Sequence, residues 1–121
     1  MDQAIKRAKL YKLLSDLPPE HRKISAVTIE KKETKNYVLE KLAFDFNGIE
    51  DVFGYFIKPI GIDERLPVVL YNHAHGGDYH LGKEEFIKGR SGIQNPPYAD
   101  VIAKLGFAGL CIDSWLFGER S

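Results

Sequence analysis

Between Pro67 and Tyr71 the chain stops alternating. Val68, Val69, Leu70 and Tyr71 follow one another with no polar residue at either strand phase. A strand that is apolar at every position is expected where both faces of a sheet are covered, as in parallel sheets. Downstream, Pro97 to Leu105 reads as a helix, with Pro in its first turn, Gly106 as its stop, and Tyr98, Val101, Ile102 and Leu105 as its buried face. Phe107 to Ile112 is a second apolar run, ending at Asp113. Strand, helix and strand in this order predict a βαβ unit with parallel strands and a right-handed crossover.

The first half of the chain has a different character. Residues 2–16 predict a helix with Leu10, Leu13, Leu14 and Leu17 on one stripe, Asp2 as its cap and Pro18-Pro19 as its stop. Such a stripe suits an outer helix packed on something larger. Three strand-like runs follow: Ile24 to Glu30, Tyr37 to Phe46, and Val52 to Lys58. The second alternates, and Asn47-Gly48 marks a turn, so the last two predict an antiparallel hairpin around Asn47 to Asp51. The expected fold is α/β: antiparallel N-terminal strands and one N-terminal helix, leading into a parallel βαβ unit, in a single domain over residues 1–121.

Charge and cysteine usage narrow the function classes. Seventeen basic residues balance seventeen acidic ones, which leaves no electrostatic case for nucleic acid or a membrane surface as partner. The N-terminus has charges throughout and no apolar core of a signal peptide. Cys111 is the only cysteine, so no intrachain disulfide can form and a reducing, cytoplasmic compartment fits best.

The stretch VLYNHAHGGDYHLGKE, residues 69–84, holds most of the visible chemistry. It admits two readings. In the metallo-β-lactamase superfamily a strand ends in H-x-H-x-D-H and ligates zinc. His73 and His75 supply the first half, but Asp and His would then be needed at 77 and 78, where Gly77 and Asp78 stand. Zinc ligands converge at about 2.0 to 2.2 Å, so a one-residue slip breaks the pattern. A looser set of His73, His75, Asp78 and His80 remains as an alternative, a metal-dependent hydrolase. The second reading uses the main chain. Glycines at 76 and 77 let the backbone approach a carbonyl and turn an N–H toward it.

The second reading agrees with a wider likeness. LYKLLSDLP (10–18), NGIEDVFGYFIKP (47–59), LPVVLYNHAHGG (66–77), LGK (81–83) and YADVIAKLGFAGLCIDSWLFGER (98–120) together resemble the N-terminal part of an α/β-hydrolase of the dienelactone hydrolase or acetyl xylan esterase-like group. The resemblance implies a partial α/β-hydrolase sheet, with the N–H groups of Gly76 and Gly77 as half of an oxyanion hole. His73, His75, Asp78 and Trp115 would line that site. It implies no cofactor and no metal, and a small-molecule ester as substrate of the intact parent.

Such enzymes need a serine in G-x-S-x-G at a strand-to-helix elbow, then an acid and a histidine. The chain has no G-x-S-x-G. Ser91 reads as a loop residue, Ser114 lacks the flanking glycines, and Ser121 is the last residue. The expectation is an N-terminal fragment of a serine ester hydrolase, inactive alone, with the triad beyond Ser121. A non-catalytic self-associating domain is the alternative from another class. Asp113 reads as a turn cap, Glu119-Arg120 as structural or solvated charges, and Cys111 as a buried thiol. Lys83, Glu84 and Glu85 read as the solvated start of a short helical turn. In the family's strand order, 1-2-4-3-5, the strand at 68–72 would be an exposed edge, which predicts a homo-oligomer formed through it.

Overall fold

The computed structural model describes residues 2–15, 17–19, 21–92 and 94–121. Helix α1 (Gln3–Leu14) precedes three antiparallel strands, β1 (Ser25–Glu33), β2 (Tyr37–Asp45) and β3 (Asp51–Pro59). Strand β4 (Val68–Leu70), helices α2 (Glu84–Lys88) and α3 (Tyr98–Lys104), and strand β5 (Ala108–Ile112) follow, and a 3₁₀ turn spans Gly118–Arg120. The five strands form one mixed sheet in the order β1-β2-β3-β5-β4. β5 runs antiparallel to β3 and parallel to β4. The expected change from antiparallel to parallel pairing is present, and β4 lies at the edge.

The hairpin forms where the Asn47-Gly48 signal placed it, with β2 and β3 in continuous register from Tyr37↔Pro59 to Asp45↔Asp51. Because strand side chains alternate, that register puts Tyr37, Leu39 and Ile57 on one face with Cys111 of β5. Phe86 of α2 and Ala99 and Ala103 of α3 cover that face. Ile57 and Phe86 are wholly buried, and burial of a side chain of this size contributes about 1.5–3 kcal/mol. α3 shows its core to be small: Ala99 and Ala103 are its buried residues. The expected face is therefore rotated, with Tyr98 and Leu105 exposed and Ile102 packed at the margin. Alanines let the helix sit close to the sheet, and the larger residues flank the contact.

The N-terminal helix differs from expectation at its end and in its packing. Asp2 caps it, its carboxylate accepting the Ala4 N–H at 3.4 Å. The helix stops at Leu14, and Ser15 has φ of 35°, so the stop comes before Pro18-Pro19 and leaves Leu17 outside. None of its residues is buried, and Leu13 is 82% exposed. All of β1 and all of β4 are exposed as well. The stripe on α1 and the apolar edge at β4 are thus uncovered. No helix among the described residues is long and apolar enough to cross a membrane.

Candidate functional site

The segment after β4 is held from beneath by α2. The two carboxylates of its first turn were expected to be solvated, yet Glu85 is fully buried and Lys83, just ahead of the helix, is 2% exposed. Glu85 Oε2 accepts the hydroxyl of Tyr71 at 2.5 Å and the N–H of Ala74 at 2.8 Å. Its Oε1 accepts Arg90 Nε at 2.7 Å. Burial alone would raise the Glu85 carboxyl, but the hydrogen bonds from Tyr71, Ala74 and Arg90 outweigh it and hold its pKa below the ordinary value. Burial and the same carboxylate push the Tyr71 hydroxyl the other way, above the ordinary tyrosine range.

Over this base the chain turns at His75-Gly76-Gly77-Asp78, closed by the Asp78 N–H on the His75 carbonyl at 3.2 Å. Gly76 and Gly77 have φ of 53° and 73°, in the region that glycine enters without penalty. Gly76 has a second reason to be glycine: a Cβ there would collide with the guanidinium of Arg90. The Gly77 N–H donates to His75 Nδ1 at 3.1 Å. The Gly76 N–H has no acceptor among the described residues. Asp78 Oδ1 accepts the N–H groups of His80 and Leu81, each at 3.2 Å, and so caps the next turn.

The histidines are tied into the protein and not to one another. His73 Nε2 accepts the Ser114 N–H at 3.0 Å, which leaves Nδ1 to face the Ala74 carbonyl at 3.2 Å. His75 Nε2 meets the Tyr79 hydroxyl at 2.8 Å. Both imidazoles pack on Phe117, with centroids 4.9 and 5.5 Å away, and Tyr79 stacks on the same ring at 5.0 Å. The looser metal set of His73, His75, Asp78 and His80 is therefore not assembled: no group of three or more His, Cys, Asp or Glu residues suited to a metal occurs among the described residues. The ring nitrogens of His73 and His75 face other partners instead. Trp115 stands 63% exposed, with the Arg120 guanidinium 5.3 Å from its ring centre.

A second buried network anchors the C-terminal end of β5. Asp113, wholly buried, accepts the Lys83 N–H at 2.8 Å, Lys83 Nζ at 2.9 Å and the Glu119 N–H at 3.1 Å. Lys83 Nζ also lies 3.4 Å from Glu119 and 5.2 Å from the centre of the Tyr55 ring. Glu119 in turn takes Lys41 at 2.5 Å, and Arg120 pairs with Glu50 and donates to the Asp113 carbonyl at 3.0 Å. Asp113 thus caps the tail as expected, and Glu119 and Arg120 are structural. Gly82 and Gly118 flank the Asp113 carboxylate so closely that a Cβ at either would strike it. Cys111 is the expected buried thiol, its pKa pushed up to about 12 by burial and by Asp113.

No protein-family profile matches the chain. Among curated proteins, YtaP of Bacillus subtilis (strain 168), provisionally named a hydrolase, is 40% identical over 118 residues. That alignment covers 98% of this chain and 39% of YtaP, so the chain spans well under half of its curated relative. Among solved structures, a protein of Bacteroides fragilis NCTC 9343, provisionally named an acetyl xylan esterase, superposes with a TM-score of 0.68 at 21% identity. The match takes in 98% of this chain and 31% of that one. The chain therefore carries the sheet-and-helix arrangement of part of an esterase fold. The resemblance to the dienelactone hydrolase and acetyl xylan esterase-like group of hydrolases, read from the sequence, is borne out.

Proposed function

We propose that this chain is the oxyanion-turn half of a serine ester hydrolase of the α/β-hydrolase superfamily, acting within a longer protein. The observation that carries the reading is the turn at Gly76-Gly77. It follows a parallel edge strand, has two glycines at positive φ, and leaves one main-chain N–H without an acceptor among the described residues. Main-chain donors of this kind stabilise the negative charge on a tetrahedral intermediate. The order β2-β3-β5-β4 then corresponds to the 1-2-4-3 arrangement of that superfamily, with β4 as the strand whose end bears the turn. His73 and His75 shape the turn and take no proton from a nucleophile.

On this reading the nucleophile, acid and base lie outside the 121 residues, because no serine here stands in G-x-S-x-G. The chain alone would turn over no ester above the residual rate that donors without a triad provide. A small-molecule ester is the proposed substrate class of the longer protein, and the lone cysteine is the ground for proposing a reducing, cytoplasmic setting.

The test has two arms. p-Nitrophenyl acetate should be hydrolysed by the native gene product and not by the isolated chain. A fluorophosphonate probe, which marks activated serines, should label the native gene product outside residues 1–121. Turnover by the isolated chain that EDTA abolishes would overturn the proposal.

The exposed edge at β4 supports a second element of the proposal, self-association of the isolated chain through that strand. Val68 and Leu70 are 54% and 61% exposed, and an unpaired apolar edge recruits a partner strand.

A further inference from the structure

The turn rests on more than the histidines that surround it. Its first N–H, on Ala74, ends on Glu85, a carboxylate with no exposed surface, and the same carboxylate fixes Arg90. The guanidinium of Arg90 occupies the place where a side chain on Gly76 would be. Its Nη2 is buried and, among the described residues, has no hydrogen-bond partner. A charged group seldom stays buried without partners for all its donors unless its position is imposed by something else. Here the imposing contacts are Glu85 on one side and the Gly76 backbone on the other. Tyr71 extends the base: its hydroxyl donates to Glu85, accepts Gln94 Nε2 at 2.8 Å, and its ring stacks on Phe86 at 5.4 Å.

We infer that Glu85 and Arg90 are positioning residues, an ion pair of a buried carboxylate and a partly exposed guanidinium that fixes the Ala74 N–H and, through it, the direction of the N–H at Gly76. The inference rests on the proposed role of the Gly76 N–H and adds the device that aims it. Glu85 pins the start of the turn by a charge-assisted bond. Arg90 supports the turn from below, so the Gly76 peptide cannot drop toward the core. The two act as one unit, because Arg90 is held in place by Glu85. Neither touches a reacting atom.

The experiment uses the ¹⁵N-labelled 121-residue chain. Glu85→Gln preserves shape and removes the charge. The Ala74 amide proton should move upfield, and its exchange should quicken by about 10- to 100-fold, the loss expected for a hydrogen bond to a charged group. Exchange at Gly109 and Leu110 in β5 should be unchanged. A change spread evenly over β5 and the turn would reduce Glu85 to a general stabiliser and overturn the inference. So would an unchanged Ala74 amide.

Gly76→Ala supplies an independent arm. Its thermal destabilisation should shrink when Arg90→Ala is added, because the collision partner is then gone. Full additivity of the two substitutions would overturn the support role of Arg90. Ester turnover has no part in these readouts. A native gene product without serine-hydrolase activity would defeat the proposed function, while the ion pair would still stand or fall by its amides.

Discussion

Lys83 and Asp113 meet twice: one carboxylate oxygen takes the lysine's main-chain N–H at 2.8 Å and the other takes its ammonium at 2.9 Å. Both residues are buried, so neither partner has water to fall back on. Breaking a buried pair by removing one member leaves an uncompensated charge and costs about 3–5 kcal/mol. Lys83→Met and Asp113→Ala should each lower stability by that order in urea unfolding. The double variant should lose less than the sum, since both charges are then gone. Additive losses would show that the pair does not act as a pair.

Stability should fall on both sides of neutrality. For Glu84, Glu85 and Glu119 burial opposes ionisation, but hydrogen bonds and neighbouring cations outweigh it, and their pKa values lie below the ordinary 4.5. A depressed carboxyl contributes stability above its unfolded value, and that stability is lost as pH falls through the folded value. Tyr55 and Tyr71 are raised above 10.0 by burial and by Glu84 and Glu85, so their contribution is complete below pH 10.0 and lost as pH rises through their folded values. Urea midpoints measured across pH should therefore be flat from about 5 to 9. Glu85→Gln should flatten the acid limb.

Cys111 should be silent toward thiol reagents while the chain is folded. Its side chain is wholly buried and its pKa stands at about 12, and the thiolate is the reactive form. Ellman's reagent at pH 8 should release colour only on addition of urea. Prompt colour from the folded chain would show that β5 opens far more readily than its burial implies.

Self-association should depend on the edge strand. Sedimentation at micromolar concentration should find a dimer or higher species. Val69→Lys, which places a charge on the unpaired edge, should shift it to monomer. A monodisperse wild-type monomer would refute pairing through β4.

Much of the sheet was legible in the sequence because its signals are local. Asn47-Gly48 marks a turn in any context, and the loss of alternation at Val68 marks the change to parallel pairing. Gly76 and Gly77 stood out for the same reason. Lys83 and Glu85 did not, since a Lys-Glu-Glu run looks solvated until the fold brings Asp113 and the turn against it. Their burial is a property of contacts 30 and 11 residues away in the chain. One trace was available: Gly82 before Lys83 and Gly118 before Glu119 leave room on either side of Asp113. The buried face of α3 misled for another reason. Its packing follows the small alanines, and hydrophobicity alone ranks the larger residues above them.

The network around Asp113 also dictates an order of events during synthesis. Lys41 meets its carboxylate partner 78 residues later, at Glu119, and Glu50 meets Arg120 after 70. While the β2–β3 hairpin leaves the ribosome, Lys41 and Glu50 have no mates, and Lys83 has none until β5 has emerged. Closure of such distant contacts is slow. The nascent chain therefore stays open along this seam until residues 119 and 120 have emerged.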